Sequence, residues 1–240
     1  SALDGTVVNA GVARYRSLAH QHLAPVATAS PAPETQLLEV RTTQSGLKIS
    51  LAARTRVYAG TEPLQVSRRT EERPGYIGQA FTVRVKERSP LRVEKVVALY
   101  TCRDHAISES GAEAASAAAM AETFEDLLRR HIRTWEMLWH RFDMELDLSS
   151  GADGDRMGLI LHLHLFHLLQ TVSLHTIDLD VGVPARGWHG EAYRGHIFWD
   201  EIFILPFITL RFPEITRALL MYRYRRLREA RRAARAAGYR

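Results

Sequence analysis

One stretch of the chain, residues 185–207, concentrates aromatic, acidic and histidine side chains between glycines and closes on an apolar run (ARGWHGEAYRGHIFWDEIFILPF). Within it, Trp199 is followed directly by Asp200. An aromatic ring covers the apolar face of a pyranose, and a carboxylate accepts paired hydrogen bonds from adjacent hydroxyls. The three glycines permit tight turns that bring such side chains to the mouth of a helical bundle. The stretch therefore has the composition of a sugar-binding loop.

Cleavage of a glycosidic bond also requires a carboxylic acid that protonates the leaving oxygen. The carboxyl groups of this stretch belong to Glu191, Asp200 and Glu201. The spacing fits a structural interpretation equally well: a core tryptophan, an aspartate that caps the next helix, and salt-bridged polar residues. Residue types alone leave both interpretations open.

A metal site is the next chemistry to consider, because His162, His164 and His167 lie close together with His175 beyond them. Asp178 and Asp180 could add oxygen ligands. His162 and His164 point apart on a helix, and a metal needs three converging ligands. Histidines on an apolar helix are more often buried and hydrogen-bonded, so we expect no metal and no organic cofactor.

Nucleophilic chemistry has one candidate, Cys102, whose neighbours Arg103 and His105 could lower its pKa. We interpret it instead as a small apolar residue that ends a strand. A single cysteine cannot form an internal disulfide. The sequence contains no G-x-S-x-G elbow and no P-loop, and its glycines do not follow a dinucleotide-binding pattern.

The net charge of +5 is concentrated at one end of the chain. Residues 211–240 hold ten arginines against two glutamates, which gives +8, so the other 210 residues sum to −3. A basic helix can bind nucleic acid or a membrane surface. We favour a solvated helix face, because no nucleic-acid recognition motif precedes the segment. We therefore expect no nucleic-acid partner; binding through the basic end stays open as a third hypothesis.

Membrane insertion and export are not expected either. No run approaches about 20 uninterrupted apolar residues. The first residues lack the basic start and apolar core of a signal peptide. The expected location is the cytoplasm, with no membrane partner.

The elements that must position the stretch change character near residue 105. Before it, apolar and polar residues alternate in segments rich in Val, Leu, Thr and Tyr, as in a half-buried strand. The predicted strands are residues 37–43, 47–58, 78–86 and 91–102. Turn residues separate them at the spacing of an antiparallel sandwich, of which they make a part.

After residue 105, apolar residues recur at helical spacing. One helix is predicted over 111–146, capped by Ser108 or Ser110, and a second over 157–175, apolar nearly all round and therefore buried on several sides. A third helix, residues 200–212, is interrupted near Pro206. A fourth, residues 213–240, has a proline at its start.

The opening stretch resembles the signature region of glycoside hydrolase family 65, which holds maltose, trehalose, kojibiose and nigerose phosphorylases and a few hydrolases. The family pattern reads approximately R-G, two residues, G-E, one residue, Y, one residue, G-H, one residue, F-W-D. Its matches here are Arg186, Gly187, Gly190, Glu191, Tyr193, Gly195, His196, Phe198, Trp199 and Asp200. Residues 96–106 also resemble the family's last sandwich strand, and residues 163–171 its first barrel helix. One departure is Glu201, where many members have threonine, which leaves substrate choice open.

The resemblance implies a multi-domain α+β fold: part of a β-sandwich followed by a helical linker and the first helices of an (α/α)6 barrel. The expected domains are residues 1–105 for the sandwich part, 106–150 for the linker and 151–240 for the start of the barrel. In the family, the general acid and the phosphate-binding loop come from later barrel segments. We therefore expect this chain to be a central fragment that lacks the general acid and holds no catalytic residue.

The resemblance also implies the reaction and the partners. A glutamic acid protonates the glycosidic oxygen of an α-glucose disaccharide while inorganic phosphate attacks from the opposite face, so the anomeric centre inverts. Trp199 and Asp200 are expected to bind the glucose, with His196 and Tyr193 in support, and a homodimer is the implied assembly. An inverting trehalose-type hydrolase and an incomplete or non-catalytic carbohydrate-binding fragment stay open as alternatives.

Overall fold

The structure, a computed structural model, describes residues 22–144, 152–185 and 195–239, with side chains of the third helix described from residue 156 onward. The chain divides into two compact units, Ser1–Arg129 and Arg130–Arg240. Antiparallel strands build most of the first unit, and helices build the second. The predicted α+β class, with strands first and helices after them, is confirmed.

A five-stranded antiparallel sheet is the centre of the first unit. Strand β3 pairs along its length with β7 on one side. On its other side it pairs with β2 and, at its end, with β4; β2 also pairs with β1. Strands β5 and β6 form a separate two-stranded hairpin. The strands are β1 (Leu23–Ala32), β2 (Thr35–Thr42), β3 (Lys48–Ala59), β4 (Glu62–Pro63), β5 (Arg68–Arg73), β6 (Tyr76–Phe81) and β7 (Leu91–Thr101).

The strands predicted at 37–43, 47–58 and 91–102 are confirmed to within two residues as β2, β3 and β7. The strand predicted at 78–86 is wrong in its second half, because β6 ends at Phe81, opposite the first residue of β5. The sequence prediction did not include β1, whose two prolines argue against a strand; its place at the edge of the sheet tolerates them.

Helix α1 (Ser110–Met120) packs on this sheet through small side chains. Ala114 and Ala118 form one fully buried cluster with Ala52 of β3, which lets the helix lie close to the strands. The predicted serine cap is wrong: the side chain of Glu109 caps the helix by accepting from the backbone N–H of Ala112 at 2.6 Å. The hydroxyl of Ser110 is instead bonded to that of Ser50, at 2.8 Å.

The prediction of a single helix over 111–146 is also wrong. Residues 121–123 are not helical, and a second helix, α2 (Phe124–Phe142), begins after them. The buried carboxylate of Glu94 accepts from the first backbone N–H of α2 at 3.0 Å. Arg54 closes the end of α1 by donating to its last carbonyls at 2.8 and 2.9 Å. Strands β3 and β7 therefore fix the break, by tertiary contacts that the helical pattern does not contain.

The second unit adds α3 (Ala152–Thr171), a 3-10 turn (Leu174–Thr176), α4 (Glu201–Thr209) and α5 (Pro213–Ala236) to most of α2. Phe142 is fully buried, with ring centroids 5.7 Å from Phe207 and 5.2 Å from Phe212. The buried members of this core are Phe142, Leu169, Val172, Val183, Ile208, Phe212, Ile215 and Leu219. They come from α2 to α5 and the segment after α3, so one core holds the site-bearing helix in place.

Helix α3 is buried along one side only. Leu165 and Leu169 are buried, but Leu159 and Leu163 are 70% and 50% exposed and His164 is exposed, so the prediction of burial on several sides is wrong. By length and composition one described helix, Arg156–Thr176, could cross a membrane, a test that core helices of soluble proteins also pass. Helix α4 runs through Pro206 without the predicted interruption.

Candidate functional site

Trp199 lies in the turn that leads into α4, and the residue is 66% exposed. The ring meets Phe203 edge-on, with centroids 5.5 Å apart. Ile202 and Phe203 on the first turn of α4 are also largely exposed, at 59% and 69%. A core tryptophan is therefore the wrong interpretation of this position. The turn instead presents an aromatic surface on which a ring-shaped ligand can pack.

Asp200 occupies the N-cap position of α4 but does not cap the helix. Its backbone is already helical, with φ −54° and ψ −28°, and its side chain accepts no capping hydrogen bond. A capping side chain normally requires extended backbone at this position. The expectation of a capping aspartate is therefore wrong. Asp200 is half-buried and directly follows Trp199 in the chain, and its carboxylate makes no hydrogen bond to the helix N-terminus.

His196 is exposed and lies at the start of the same turn. Its ring stacks on that of Phe198, with centroids 5.8 Å apart, and its carbonyl accepts from the backbone N–H of Ala185 at 3.2 Å. His196, Trp199 and Asp200 therefore share one short segment. Tyr193, with the other residues of 186–194, lies outside the described residues, so its supporting role stays a prediction.

Of the two candidate carboxyls in this stretch that the structure describes, Glu201 is the one with hydrogen bonds on both oxygens. Its side chain is buried, and Oε1 accepts from the backbone N–H of Val183 at 2.7 Å. Oε2 accepts from Arg223 of α5, with Nε at 2.8 Å. Arg223 also donates through Nη2 to the carbonyl of Phe198. Because both oxygens act as acceptors, Glu201 is held as a structural carboxylate rather than placed as a proton donor.

Sequence reasoning missed the partners of Glu201. Val183 and Arg223 lie 18 and 22 residues away, and neither belongs to a recognisable motif. The signal that could have found them is an acidic residue that opens a strongly apolar helix, since such a residue needs a buried partner. The proposed salt-bridged polar residue in this stretch is confirmed by the Glu201–Arg223 pair.

The candidate metal ligands are dispersed. His162 Nε2 lies 2.8 Å from Asp143 Oδ1. Asp180 accepts from Arg226 at 3.0 Å and from Arg225 at 2.9 Å, and these hydrogen bonds, with Arg226 the larger cause, hold the pKa of Asp180 below its usual value. In the described ranges, no group of three His, Cys, Asp or Glu side chains could hold a metal ion.

The basic end of the chain is partly neutralised inside its own unit, by the contacts of Glu201 and Asp180 with α5. Farther along α5, four arginines line a surface groove of about 580 Å³ together with Tyr224 and Leu227. The sole cysteine, Cys102, is exposed just after β7.

Two family models match the chain. The model described as "Glycosyl hydrolase family 65, N-terminal domain" matches residues 1–138, and the model described as "Glycosyl hydrolase family 65 central catalytic domain" matches residues 162–240. The first of these alone covers more than half of the 240 residues.

Sequence relatives carry related names. The chain is 40% identical to an uncharacterized glycosyl hydrolase of Mycobacterium tuberculosis, over all of this chain and 18% of that protein. It is 35% identical to kojibiose phosphorylase of Halothermothrix orenii, over 84% of this chain and 26% of the relative. It is 37% identical to alpha,alpha-trehalose phosphorylase of Geobacillus stearothermophilus, over 49% of this chain and 14% of the relative. The chain thus spans roughly a quarter or less of each relative's length.

One solved structure, of a candidate kojibiose phosphorylase from the human microbiome, resembles the chain with a TM-score of 0.71. The match covers 97% of this chain and 28% of that one, at 20% sequence identity. At this identity the likeness shows a shared fold.

Proposed function

The chain belongs to glycosyl hydrolase family 65, and from this premise we propose that it is part of an enzyme that cleaves an α-glucosidic disaccharide by inverting phosphorolysis. Relatives named kojibiose phosphorylase and alpha,alpha-trehalose phosphorylase support phosphate as the attacking group. The strands belong, in this proposal, to the N-terminal sandwich, and α3, α4 and α5 are the first helices of an (α/α)6 barrel. The general acid and the phosphate site are placed outside these 240 residues.

One observation supports the role proposed for this chain. Trp199 is exposed, and the next residue, Asp200, does not use its side chain to cap helix α4. Trp199 packs on the apolar face of the glucose ring, and Asp200 accepts hydrogen bonds from adjacent ring hydroxyls. His196 lines the same turn as a supporting residue. Holding the glucose in a fixed orientation keeps its anomeric carbon open to attack from one face.

The chemistry follows from that orientation. A carboxylic acid elsewhere in the enzyme protonates the glycosidic oxygen, and a phosphate oxygen forms the new bond to the anomeric carbon as the old bond breaks. Attack from the face opposite the leaving group inverts the centre, so an α-linked disaccharide yields β-glucose 1-phosphate and a free sugar. A second candidate, supported by the relative named a glycosyl hydrolase, uses water in place of phosphate.

The test uses the natural polypeptide that contains this chain, whose mass is measured first. Kojibiose, trehalose, maltose and nigerose are supplied with and without inorganic phosphate, and proton NMR identifies the products and their anomers. We expect phosphate-dependent release of β-glucose 1-phosphate. Release of glucose without phosphate would favour the hydrolase. Absence of turnover with every sugar, together with retained sugar binding, would favour a non-catalytic carbohydrate-binding protein.

The site assignment is tested by substitution. Asp200→Asn is expected to lower kcat/KM by about 10- to 150-fold for each sugar hydroxyl that no longer donates to a carboxylate, since a hydrogen bond to a charged group contributes about 1.5–3 kcal/mol. Trp199→Ala is expected to raise KM by about 2- to 10-fold, because the glucose ring no longer packs on an indole. Glu229→Gln, which removes an exposed carboxyl from α5, is the matched control. Wild-type kcat/KM in Asp200→Asn would refute the assigned role.

A further inference from the structure

The proposed sugar-binding dipeptide is held from both sides by a clamp, an ion pair between the buried carboxylate of Glu201 and the partly exposed guanidinium of Arg223. Glu201 directly follows Asp200, and Phe198 directly precedes Trp199. Arg223 donates to the carboxylate of the first and to the backbone carbonyl of the second. One guanidinium therefore spans the two residues between them.

The clamp rests on rigid parts of the second unit. Arg223 belongs to α5, a helix of 24 residues whose Ile215 and Leu219 are buried in the core. The other oxygen of Glu201 accepts from the backbone N–H of Val183, which is itself a buried core residue. Val183 is fixed by packing and Arg223 extends from a helix anchored in the same core, so the two hydrogen bonds hold the carboxylate from both of its oxygens.

The backbone at Gly182 lies close to the side chains of Glu201 and Ile197. A Cβ atom added there would lie 2.7 Å from Glu201 Oε1 and 2.7 Å from Ile197 Cδ1. Carbon and oxygen atoms do not approach so closely without displacement, so the glycine is required by its neighbours rather than by its own backbone. The loop, the carboxylate and the segment before Trp199 therefore pack as one unit.

We propose that Glu201 and Arg223 are positioning residues that set the orientation of Trp199 and Asp200 toward the glucose ring. This inference rests on the proposed function of the same turn. In this proposal neither residue touches the substrate. Glu201 holds Arg223 in place, and Arg223 holds the backbone carbonyl of Phe198, which precedes the dipeptide. A displacement of about 1 Å in groups that orient a reacting substrate costs about 100-fold in rate.

Two substitutions break the clamp without removing bulk. Glu201→Gln retains the shape of the side chain, but its amide nitrogen donates where it must accept from either Val183 or Arg223. Arg223→Lys retains the charge, but a single ammonium cannot reproduce the two-armed guanidinium contact. Each variant is expected to lower kcat/KM by about 10- to 100-fold and to raise the Ki of glucose as a competitive inhibitor. The double variant is expected to lose little more than either single one, because the two residues act as a unit.

The assay is run on the natural polypeptide that contains this chain, and each rate is normalised to the folded fraction measured by near-UV circular dichroism. A purely structural residue lowers that fraction but leaves the Ki of glucose for the folded molecules unchanged. Arg225→Lys is the matched control, since Arg225 lies two residues away on α5 and contacts Asp180. It is expected to retain kcat/KM within about twofold.

A third variant keeps the test decisive if the first two do not fold. Gly182→Ala retains both charged side chains, but its Cβ would displace Glu201 and Ile197. It is expected to raise the Ki of glucose and lower kcat/KM in the folded protein. Wild-type values per folded molecule in the clamp variants, while Asp200→Asn loses activity, would overturn the positioning role and leave the proposed function standing. Wild-type activity in Asp200→Asn would instead remove the sugar site on which the inference rests.

Discussion

Replacing Arg54 by methionine removes the side chain that joins the sheet of the first unit to the end of α1. Arg54 is 2% exposed. It donates to the carbonyls of Ala119 and Ala121 at 2.8 and 2.9 Å, and its Nη2 lies 3.6 Å from Oε1 of Glu94. Methionine fills similar space but donates no hydrogen bond, so the part-buried carbonyls of Ala119, Ala121 and Glu122 and the buried carboxylate of Glu94 each lose a partner.

The magnitude follows from those interactions. An acceptor left unsatisfied in the interior costs about 1–3 kcal/mol, and removing one member of a buried ion pair costs about 3–5 kcal/mol. Both figures count the same donors, so they do not add. Glu94 still accepts a hydrogen bond from the backbone N–H of Phe124 at 3.0 Å, which limits the loss of stability. We expect Arg54→Met to lower the free energy of unfolding of the first unit by about 3–5 kcal/mol.

Urea unfolding followed by far-UV circular dichroism measures the loss of stability, and hydrogen exchange of residues 110–120 shows whether α1 is released. Arg56→Met is the control, since Arg56 lies on the same strand and pairs with Glu34 at 2.7 Å, with each side chain about one-third exposed. It is expected to cost at most about 1 kcal/mol. Equal losses of stability in Arg54→Met and Arg56→Met would refute the reasoning. Adding Glu94→Gln to Arg54→Met should recover part of the loss, because it removes the uncompensated charge.

Three further outcomes concern pH and the second unit. Hydrogen bonds from Lys48, the larger cause, and from the backbone N–H of Ala112 lower the pKa of Glu109 to about 2 from its ordinary 4.5. A depressed carboxyl pKa adds stability above pH 4.5 that is lost as the pH falls toward 2, so Glu109→Gln should flatten that part of a melting-temperature series against pH. Phe142→Ala, at a fully buried ring, should cost about 3–5 kcal/mol in urea unfolding. Trp199→Ala, at an exposed ring, should change the same quantity by less than about 0.5 kcal/mol.

The sequence predicted those elements whose own residues decide their structure. Strands β2, β3 and β7 alternate apolar and polar residues, and each lies within two residues of its predicted position. Strand β1 has no such pattern, because at the edge of a sheet its prolines cost little. The break between α1 and α2 was also missed, since side chains of β3 and β7 set it rather than any breaker in the segment itself.

The site shows the same division. The Trp199–Asp200 pair could be singled out by its residue types together with its match to the family pattern, but the exposure of Trp199 is a property of the packed helices. The structural alternative, in which Asp200 caps the helix, fails for a related reason. Aspartate before a helix usually accepts from its first N–H groups, and the helical backbone at Asp200 prevents that here. Neither fact can be read from spacing, because both depend on how α4 is held.

Glu201 shows why that dependence matters for the proposed function. From its residue type it was one of three candidate proton donors, and in the fold both its oxygens are taken by Val183 and Arg223. In the proposal, a carboxylate bound in this way fixes the position of its neighbours and does not donate a proton. Since Arg223 lies on α5, the orientation of the dipeptide before α4 depends on the register between these two helices. Substitutions that shift α5 along its axis should therefore alter sugar binding without touching any residue that contacts the sugar, whereas changes on the exposed side of α3 should not.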